Sequence, residues 1–210
     1  MAAPTAVLQA SSLSFAYPKQ PALFANWSMD IAPGVTWVGG DESSGKTTLL
    51  RLLAGELPAQ SGTLAVNGIS LKEQSQDYRR QIAWVDPRTQ VFDALTPRAY
   101  WDGLRQRHPA FAGDLLSDLI AGLALEPHLA KSLYMLSTGT KRKVFLAGAL
   151  ASGAPVTLLD EPFAALDRAS IGMVLEFLQE ASSHASRAWV VADYVAPPGV
   201  ALAATIHLGD

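Results

Sequence analysis

Cysteine is absent from this 210-residue chain. That excludes disulfides and thiolate metal sites, and it fits a reducing compartment. Charge is scarce as well, at 17% of residues with a net charge of −3. No run of Lys or Arg supplies the electrostatic footprint of a nucleic-acid or membrane-surface binder, so nucleic acid is not expected as a partner. Long apolar runs are missing too. The best candidate, Val144 to Leu159, is broken by Ser152, Gly153 and Pro155 and falls short of the about 20 residues a spanning helix needs. The chain is therefore expected not to cross a membrane by itself. Met1-Ala2-Ala3-Pro4-Thr5 lacks the basic start and apolar stretch of a secretory signal. Neither an internal repeat nor a low-complexity tract divides the chain. What is plentiful is apolar side chain, 49% of residues, enough for the core of one domain with or without a sub-lobe. Such composition with so little charge also implies a surface partly covered by a partner.

The most informative stretch is Gly40-Asp41-Glu42-Ser43-Ser44-Gly45-Lys46-Thr47, which fits the phosphate-loop pattern of Gly, four residues, Gly, Lys, Ser/Thr. Glycines let the backbone fold into a cup of N–H donors, and the following helix adds its positive N-terminal end. Lys46 offers a point charge to β- and γ-phosphates, and the Thr47 hydroxyl can ligate Mg²⁺. Context agrees: Val35 to Val38 reads as a strand entering the loop, and Thr47-Thr48 to Ala54 as a helix leaving it, ended by Gly55. Asp41 and Glu42 are acidic neighbours for a phosphate, but a cup lined by backbone N–H groups lets both carboxylates point outward.

Elsewhere, Val7 to Phe15 and the alternation of Trp27, Met29 and Ile31 read as strands. Asn67-Gly68 between Thr63–Val66 and Ile69–Leu71 is a hairpin signal, and Ile82 to Val85 is a further strand. Thr96-Pro97 looks like a helix cap with Pro at the first helical position. Leu115, Leu116, Leu119, Ile120 and Leu123 repeat at helical spacing, and Glu126-Pro127 starts a short helical piece. A mostly helical sub-lobe is thus expected over about 93–150, inside an α/β core. Val156 to Leu159, the helix face of Ile171, Val174, Leu175 and Leu178, and Trp189 to Ala192 then give strand, helix, strand, which implies a parallel sheet with right-handed crossovers.

Two further segments could serve a nucleotide. Val156 to Leu159 ends in Asp160-Glu161, and ligands gather at the carboxyl ends of parallel strands. There Asp160 can hold Mg²⁺, and Glu161 is placed to orient or polarise water; alone, the pair would read as a solvated acidic turn. Leu136-Ser137-Thr138-Gly139 precedes an apolar helix, with Ser137 a natural N-cap and Gly139 permitting close backbone approach. By itself that is an ordinary cap, yet it stands 23 residues before Asp160.

The order Tyr17, phosphate loop, Leu136-Ser137-Thr138-Gly139, Asp160-Glu161-Pro162, Ala165-Leu166-Asp167 resembles an ATP-binding cassette (ABC) ATPase, the motor subunit of ABC transporters, over nearly the whole chain. The resemblance implies a P-loop NTPase of ABC type: α/β, with a RecA-like parallel-sheet core, an N-terminal antiparallel β subdomain and an inserted helical subdomain, as one domain over 5–210. It implies ATP and Mg²⁺ as ligands, with Gly40 to Thr48 around the phosphates, Tyr17 stacked on adenine, Thr47 and Asp160 on the metal and Glu161 as the catalytic carboxylate. It also implies a second ABC subunit, identical or not, in a head-to-tail dimer where Ser137 and Gly139 act in trans, and Asp167 in the loop linking the two sites. A separate transmembrane permease would hold the chain at the cytoplasmic face of the membrane, docked on the helical sub-lobe through apolar residues such as Tyr100, Trp101 and Phe111. Taken alone, Tyr17 reads as a strand-end packing residue and Asp167 as a helix N-cap.

Two positions depart from that pattern. After the strand ending at Val85 the family usually has a Gln that touches Mg²⁺ and water; this chain has Asp86-Pro87-Arg88-Thr89-Gln90, and Asp86, Pro87 and Gln90 all remain candidates for the place. Where the family has a His that contacts the γ-phosphate, this chain has Asp193, an anion that repels phosphate unless it turns away to cap local backbone. His108, His128, His184 and His207 all fall elsewhere. Slow turnover is the expectation. The alternatives are a mainly nucleotide-binding regulatory half of a heterodimer, or a soluble ABC protein outside transport. A small GTPase is disfavoured by the lack of an Asn-Lys-x-Asp stretch.

Overall fold

A computed structural model describes residues 6–209; the first five residues, and the expected domain limits at 5 and 210, lie outside them. Among the described residues nine strands form two sheets. The first is antiparallel, in the order β2 (Ala22–Ile31), β1 (Leu8–Ala16), β4 (Ser61–Val66), β5 (Ile69–Ser70). Asn67-Gly68 closes the β4–β5 hairpin as expected, with Asn67 and Gly68 both at positive φ.

The second sheet is parallel, in the order β6 (Ile82–Ala83), β7 (Val156–Asp160), β8 (Ala188–Ala192), β3 (Gly34–Gly39), β9 (Leu202–His207). The central strands β7 and β8 are buried along their whole length, as parallel strands under helical crossovers are, while the edge strand β9 is largely exposed. Alternation along β8 divides the core. Ala188, Val190 and Ala192 face the helix α1 (Lys46–Leu53) and the antiparallel sheet. Trp189 and Val191 face α5 (Thr138–Ala151) and α6 (Arg168–Ala181).

Between β6 and β7 lie α3 (Pro97–Arg107), α4 (Gly113–Gly122) and two 3₁₀ turns, Glu126–His128 and Leu133–Met135. Thr96 caps α3 by accepting from the Ala99 amide at 3.3 Å, with Pro97 in the first turn. Tyr100 and Trp101, expected on an exposed docking face, are instead 5% and 2% exposed. The Trp101 indole donates to the Val144 carbonyl at 3.0 Å, and Tyr100 packs against Phe92 and Phe145. These aromatics fasten α3 onto α5. The exposed large apolar residues nearby are Val91, Leu95, Tyr134 and Met135.

His108 closes α3 at 2% exposure, its Nδ1 without a hydrogen-bond partner. Burial, with Arg107 beside it, pushes its pKa down to about 4. The folded chain thus keeps His108 neutral while the unfolded chain binds a proton below about pH 6.5, so stability present at neutral pH is lost as pH falls from about 6.5 towards 4. Between pH 7.5 and 4.5, His108→Gln should lose less Tm than wild type, by about 5 °C. Equal losses would remove His108 as the cause.

Candidate functional site

Register in the parallel sheet assembles the site. Asp160 pairs with Ala192 and Ala192 with Val38, so β7, β8 and β3 end level with one another. Beyond that edge the chain stays tied: the Glu161 amide donates to the Ala192 carbonyl at 2.8 Å and the Asp193 amide to the Val38 carbonyl at 3.1 Å.

From β3 the chain enters Gly40 to Gly45. Gly45 sits at φ +99° immediately before α1, a conformation that suits a residue without Cβ. No side chain caps α1, so its first N–H groups are left for a ligand. Asp41, Glu42 and Ser43 are exposed, while the Ser44 hydroxyl is buried and unpartnered. Lys46 folds back over the loop, its Nζ donating to the Gly40 carbonyl at 2.5 Å and the Asp41 carbonyl at 2.7 Å. The Thr47 hydroxyl donates to Asp160 Oδ2 at 2.7 Å. Thus a residue of α1 and one at the end of β7, 113 positions apart, meet directly. Thr48 shares a 3.0 Å hydrogen bond with the Tyr17 hydroxyl, and the Tyr17 ring packs edge-on against Phe15.

Asp160 carries the chemical signature of the site. Its Oδ1 is buried with no partner. Burial raises its pKa, opposed by the Thr47 hydrogen bond, while Glu161 pushes up and Arg88 pulls down. A buried carboxylate oxygen without a donor, bonded on its other side to a hydroxyl, is a hard oxygen pair that fits Mg²⁺. Among the described residues no group of three or more His, Cys, Asp or Glu could hold a metal.

An open cleft of about 670 Å³ gathers Tyr17, Glu42 to Thr48, Asp86, Arg88, Glu161 and Tyr194. Sequence reasoning missed Arg88 and Tyr194. The Tyr194 ring lies 4.1 Å from Lys46 Nζ, a cation–π contact. Asp193 is not among the cleft's lining residues. Its Oδ1 accepts from the Tyr194 amide at 2.7 Å; burial raises its pKa, that hydrogen bond and Lys46 oppose, and Glu161 adds to the rise. Of the three candidates after β6, Asp86 lines the cleft. Pro87 borders a separate cavity with Val85 and Phe145, and with Gln90 it borders another, lined also by Thr138 and Lys141.

Ser137 and Gly139 are not among the cleft's lining residues. Ser137 caps α5, accepting from the Thr140 amide at 3.1 Å. Gly139 approaches its own chain, where a Cβ would lie 2.5 Å from the Ala165 carbonyl oxygen. Asp167 caps α6 through the Ser170 amide at 2.9 Å and pairs with Lys143 at 2.5 Å. Lys143 and these caps hold its carboxyl well below the usual range.

A sequence model of the ABC transporter family matches residues 24–164, the stretch that carries the loop, Ser137, Asp160 and Glu161. The chain belongs to the ABC transporter family. As an ABC nucleotide-binding domain it is similar to the cytochrome c biogenesis ATP-binding export protein CcmA of Pseudomonas fluorescens, 32% identical over 170 residues, 80% of this chain and 79% of that one. It is also similar to the molybdenum import ATP-binding protein ModC of Saccharophagus degradans, 34% identical over 150 residues, though these span 70% of this cassette and only 41% of that protein. In fold it resembles the ATP-binding subunit of an ABC transporter, with a TM-score of 0.79 at 23% identity, covering 89% of this chain and 79% of that one. A second likeness is to the dimeric structure of a bacterial ABC transporter cassette, with a TM-score of 0.73 at 19% identity, covering 90% and 88%. The parallel core, antiparallel sheet and inserted helices are those of the ABC P-loop fold. As members of the family, such cassettes bind nucleotide and are ATPases.

Proposed function

We propose that this cassette, one domain over 5–210 with a helical lobe at about 93–150, is the Mg²⁺-dependent ATPase subunit of a transporter. ATP would close a head-to-tail dimer of cassettes and so drive a separate membrane permease. The observation that carries this reading is the Thr47–Asp160 hydrogen bond with the orphaned Asp160 Oδ1, set beside Lys46 and Glu161 at one sheet edge.

Backbone N–H groups from Gly40 to Thr48 would cradle the phosphates, and Lys46 would exchange its carbonyl partners for phosphate oxygens. Thr47 and Asp160 would hold Mg²⁺, which when bound neutralises charge on the β- and γ-phosphates. Glu161 would orient and deprotonate the attacking water. Tyr17 would stack on adenine at the cleft's edge. Exposure of Ser137 at the start of α5, outside its own chain's cleft, supports its use with Gly139 at a partner's site.

Among the described residues no helix is long and apolar enough to cross a membrane; this reading assigns the spanning segments to a separate permease, with the cassette on its cytoplasmic face. Val91, Leu95, Tyr134 and Met135 are the surface we assign to it. The Leu133 amide donates to the Leu95 carbonyl at 2.8 Å and the Tyr134 amide to the Asp93 carbonyl at 3.1 Å, which keeps the two segments side by side. The named relatives include an exporter and an importer, so neither cargo nor direction passes to this chain.

A second reading, a low-turnover regulatory cassette of a heterodimer, is favoured by Pro87 and by the locally satisfied Asp193, neither of which can donate to a phosphate. Calorimetric titration with Mg-ATP tests the parent reading. Wild type should bind, and Lys46→Ala should bind at least about 100-fold more weakly, having lost charge-assisted hydrogen bonds. Equal affinity in the two would refute it. Steady-state hydrolysis by wild type then decides between motor and regulator.

A further inference from the structure

The loop after β6, Asp86 to Gln90, is firmly built. Asp86 Oδ1 accepts from the Arg88 amide at 2.9 Å, and the Thr89 amide donates to the Asp86 carbonyl at 3.0 Å, a side-chain-supported turn. Pro87, between them, restricts the backbone. Lys141, in the first turn of α5, donates to the Thr89 carbonyl at 2.7 Å and pairs with Asp93.

This scaffold delivers one cation to the cleft. An Arg88 terminal nitrogen lies 3.4 Å from the Thr47 hydroxyl and 3.9 Å from Asp160 Oδ2, and its Nε lies 3.4 Å from Asp86 Oδ1. All three contacts are long, and the side chain is 67% exposed. Such exposed pairs contribute little and exchange readily. The Thr47–Asp160 bond beneath is short and part-buried, so the guanidinium is the loosely held member of the cluster. A triphosphate entering beside Lys46 offers it planar oxygen pairs and concentrated negative charge, which a guanidinium matches better than an ammonium does.

We propose that Arg88 is a further catalytic residue of this cassette, whose guanidinium moves from Thr47 and Asp160 onto the terminal phosphate of bound ATP. It would supply the donors that Pro87 and Asp193 cannot. The proposal rests on the ATPase reading above.

The test compares wild type, Arg88→Ala and Arg88→Lys as full chains, titrated calorimetrically with Mg-ATP and Mg-ADP and assayed for hydrolysis. Arg88→Ala should weaken ATP about 10- to 100-fold, leave ADP within about threefold, and slow turnover about 100-fold. Arg88→Lys should fall between, because it keeps the charge and loses the fork. Unchanged affinity for both nucleotides, or equal weakening of both, would overturn the proposal. So would a reduced Mg²⁺ requirement with an unchanged ATP-to-ADP ratio, which would make Arg88 only a counter-ion for Asp160. Lys46→Ala separates the two failures: if wild type binds no nucleotide, or Lys46→Ala binds as well as wild type, the ATPase reading falls and Arg88 with it. Lys46-dependent ATP binding that ignores Arg88 sinks Arg88 alone.

Discussion

Glu161→Gln should abolish hydrolysis, by about 10²- to 10⁴-fold, while Mg-ATP affinity stays within about threefold of wild type. The backbone argument comes first. Glu161 follows β7 at φ +46°, and its amide is held by the Ala192 carbonyl at 2.8 Å, so the side chain leaves the sheet edge in a fixed direction. It lines the cleft beside Lys46 and makes no side-chain hydrogen bond among the described residues. Glutamine has nearly the same shape and breaks no contact, but it cannot take a proton from water. The contrast is with Asp160, one residue earlier, which is buried and bonded to Thr47 and would affect binding as well as turnover. If ATP binding closes a dimer, Glu161→Gln should hold it closed, and size exclusion with Mg-ATP should show a dimer that wild type loses as it hydrolyses. A variant that retained more than a tenth of the wild-type rate would remove Glu161 as the base. A wild type already as slow as Glu161→Gln would instead select the regulatory reading.

The sequence made the chemistry easier to read than its surroundings. Glycine and lysine spacing marks Gly40 to Thr47 as a phosphate-loop candidate because a backbone cup tolerates few residue types, and Asp160 stands out because it ends the mostly apolar, fully buried β7. Strands with period-two patterns were legible for the same reason. The helix α2 (Ser75–Arg80) was not, since Tyr78 is its one buried residue and no period exists to count. Tertiary contacts define it: the Tyr78 hydroxyl donates to the Leu53 carbonyl at 2.6 Å and Arg79 to the Gly55 carbonyl at 2.9 Å. The edge strand β9 alternates too weakly to stand out. β6 is shorter than the apolar run Ile82 to Val85 suggests, because its pairing with β7 ends at Ala83, opposite Thr157. Tyr100 and Trp101 were placed on the surface because an apolar helix face looks the same in sequence whether it meets its own core or a partner. Arg88 and Tyr194 carried no motif; only the convergence of two loops on Lys46, Thr47 and Asp160 gives them meaning.

Lys46→Ala and Ser137→Ala chains should each hydrolyse ATP about 10²- to 10³-fold more slowly than wild type, and a one-to-one mixture of the two should recover activity. The prediction follows from where Ser137 lies. It caps α5 away from its own cleft, so if it serves a phosphate, that phosphate belongs to another copy. A hybrid dimer would pair the intact loop of one chain with the intact Ser137 of the other, restoring one site of two. With free exchange and independent sites, the mixture reaches about a quarter of the wild-type rate in a symmetric dimer. Ser137 is the cleaner probe than Gly139. Losing the cap costs about 1 kcal/mol, a Tm change of about 2–4 °C at this length, and moves nothing else. A Cβ at Gly139 would press on the Ala165 carbonyl at 2.5 Å. Ala165 is already at φ +60° in the turn that follows Glu161, so Gly139→Ala would disturb the chain's own catalytic loop along with its partner's. Its failure to complement would not distinguish the two. If Ser137→Ala mixed with Lys46→Ala gave no recovery while both chains exchanged subunits, Ser137 would be a helix cap only, and the head-to-tail dimer would have to be abandoned.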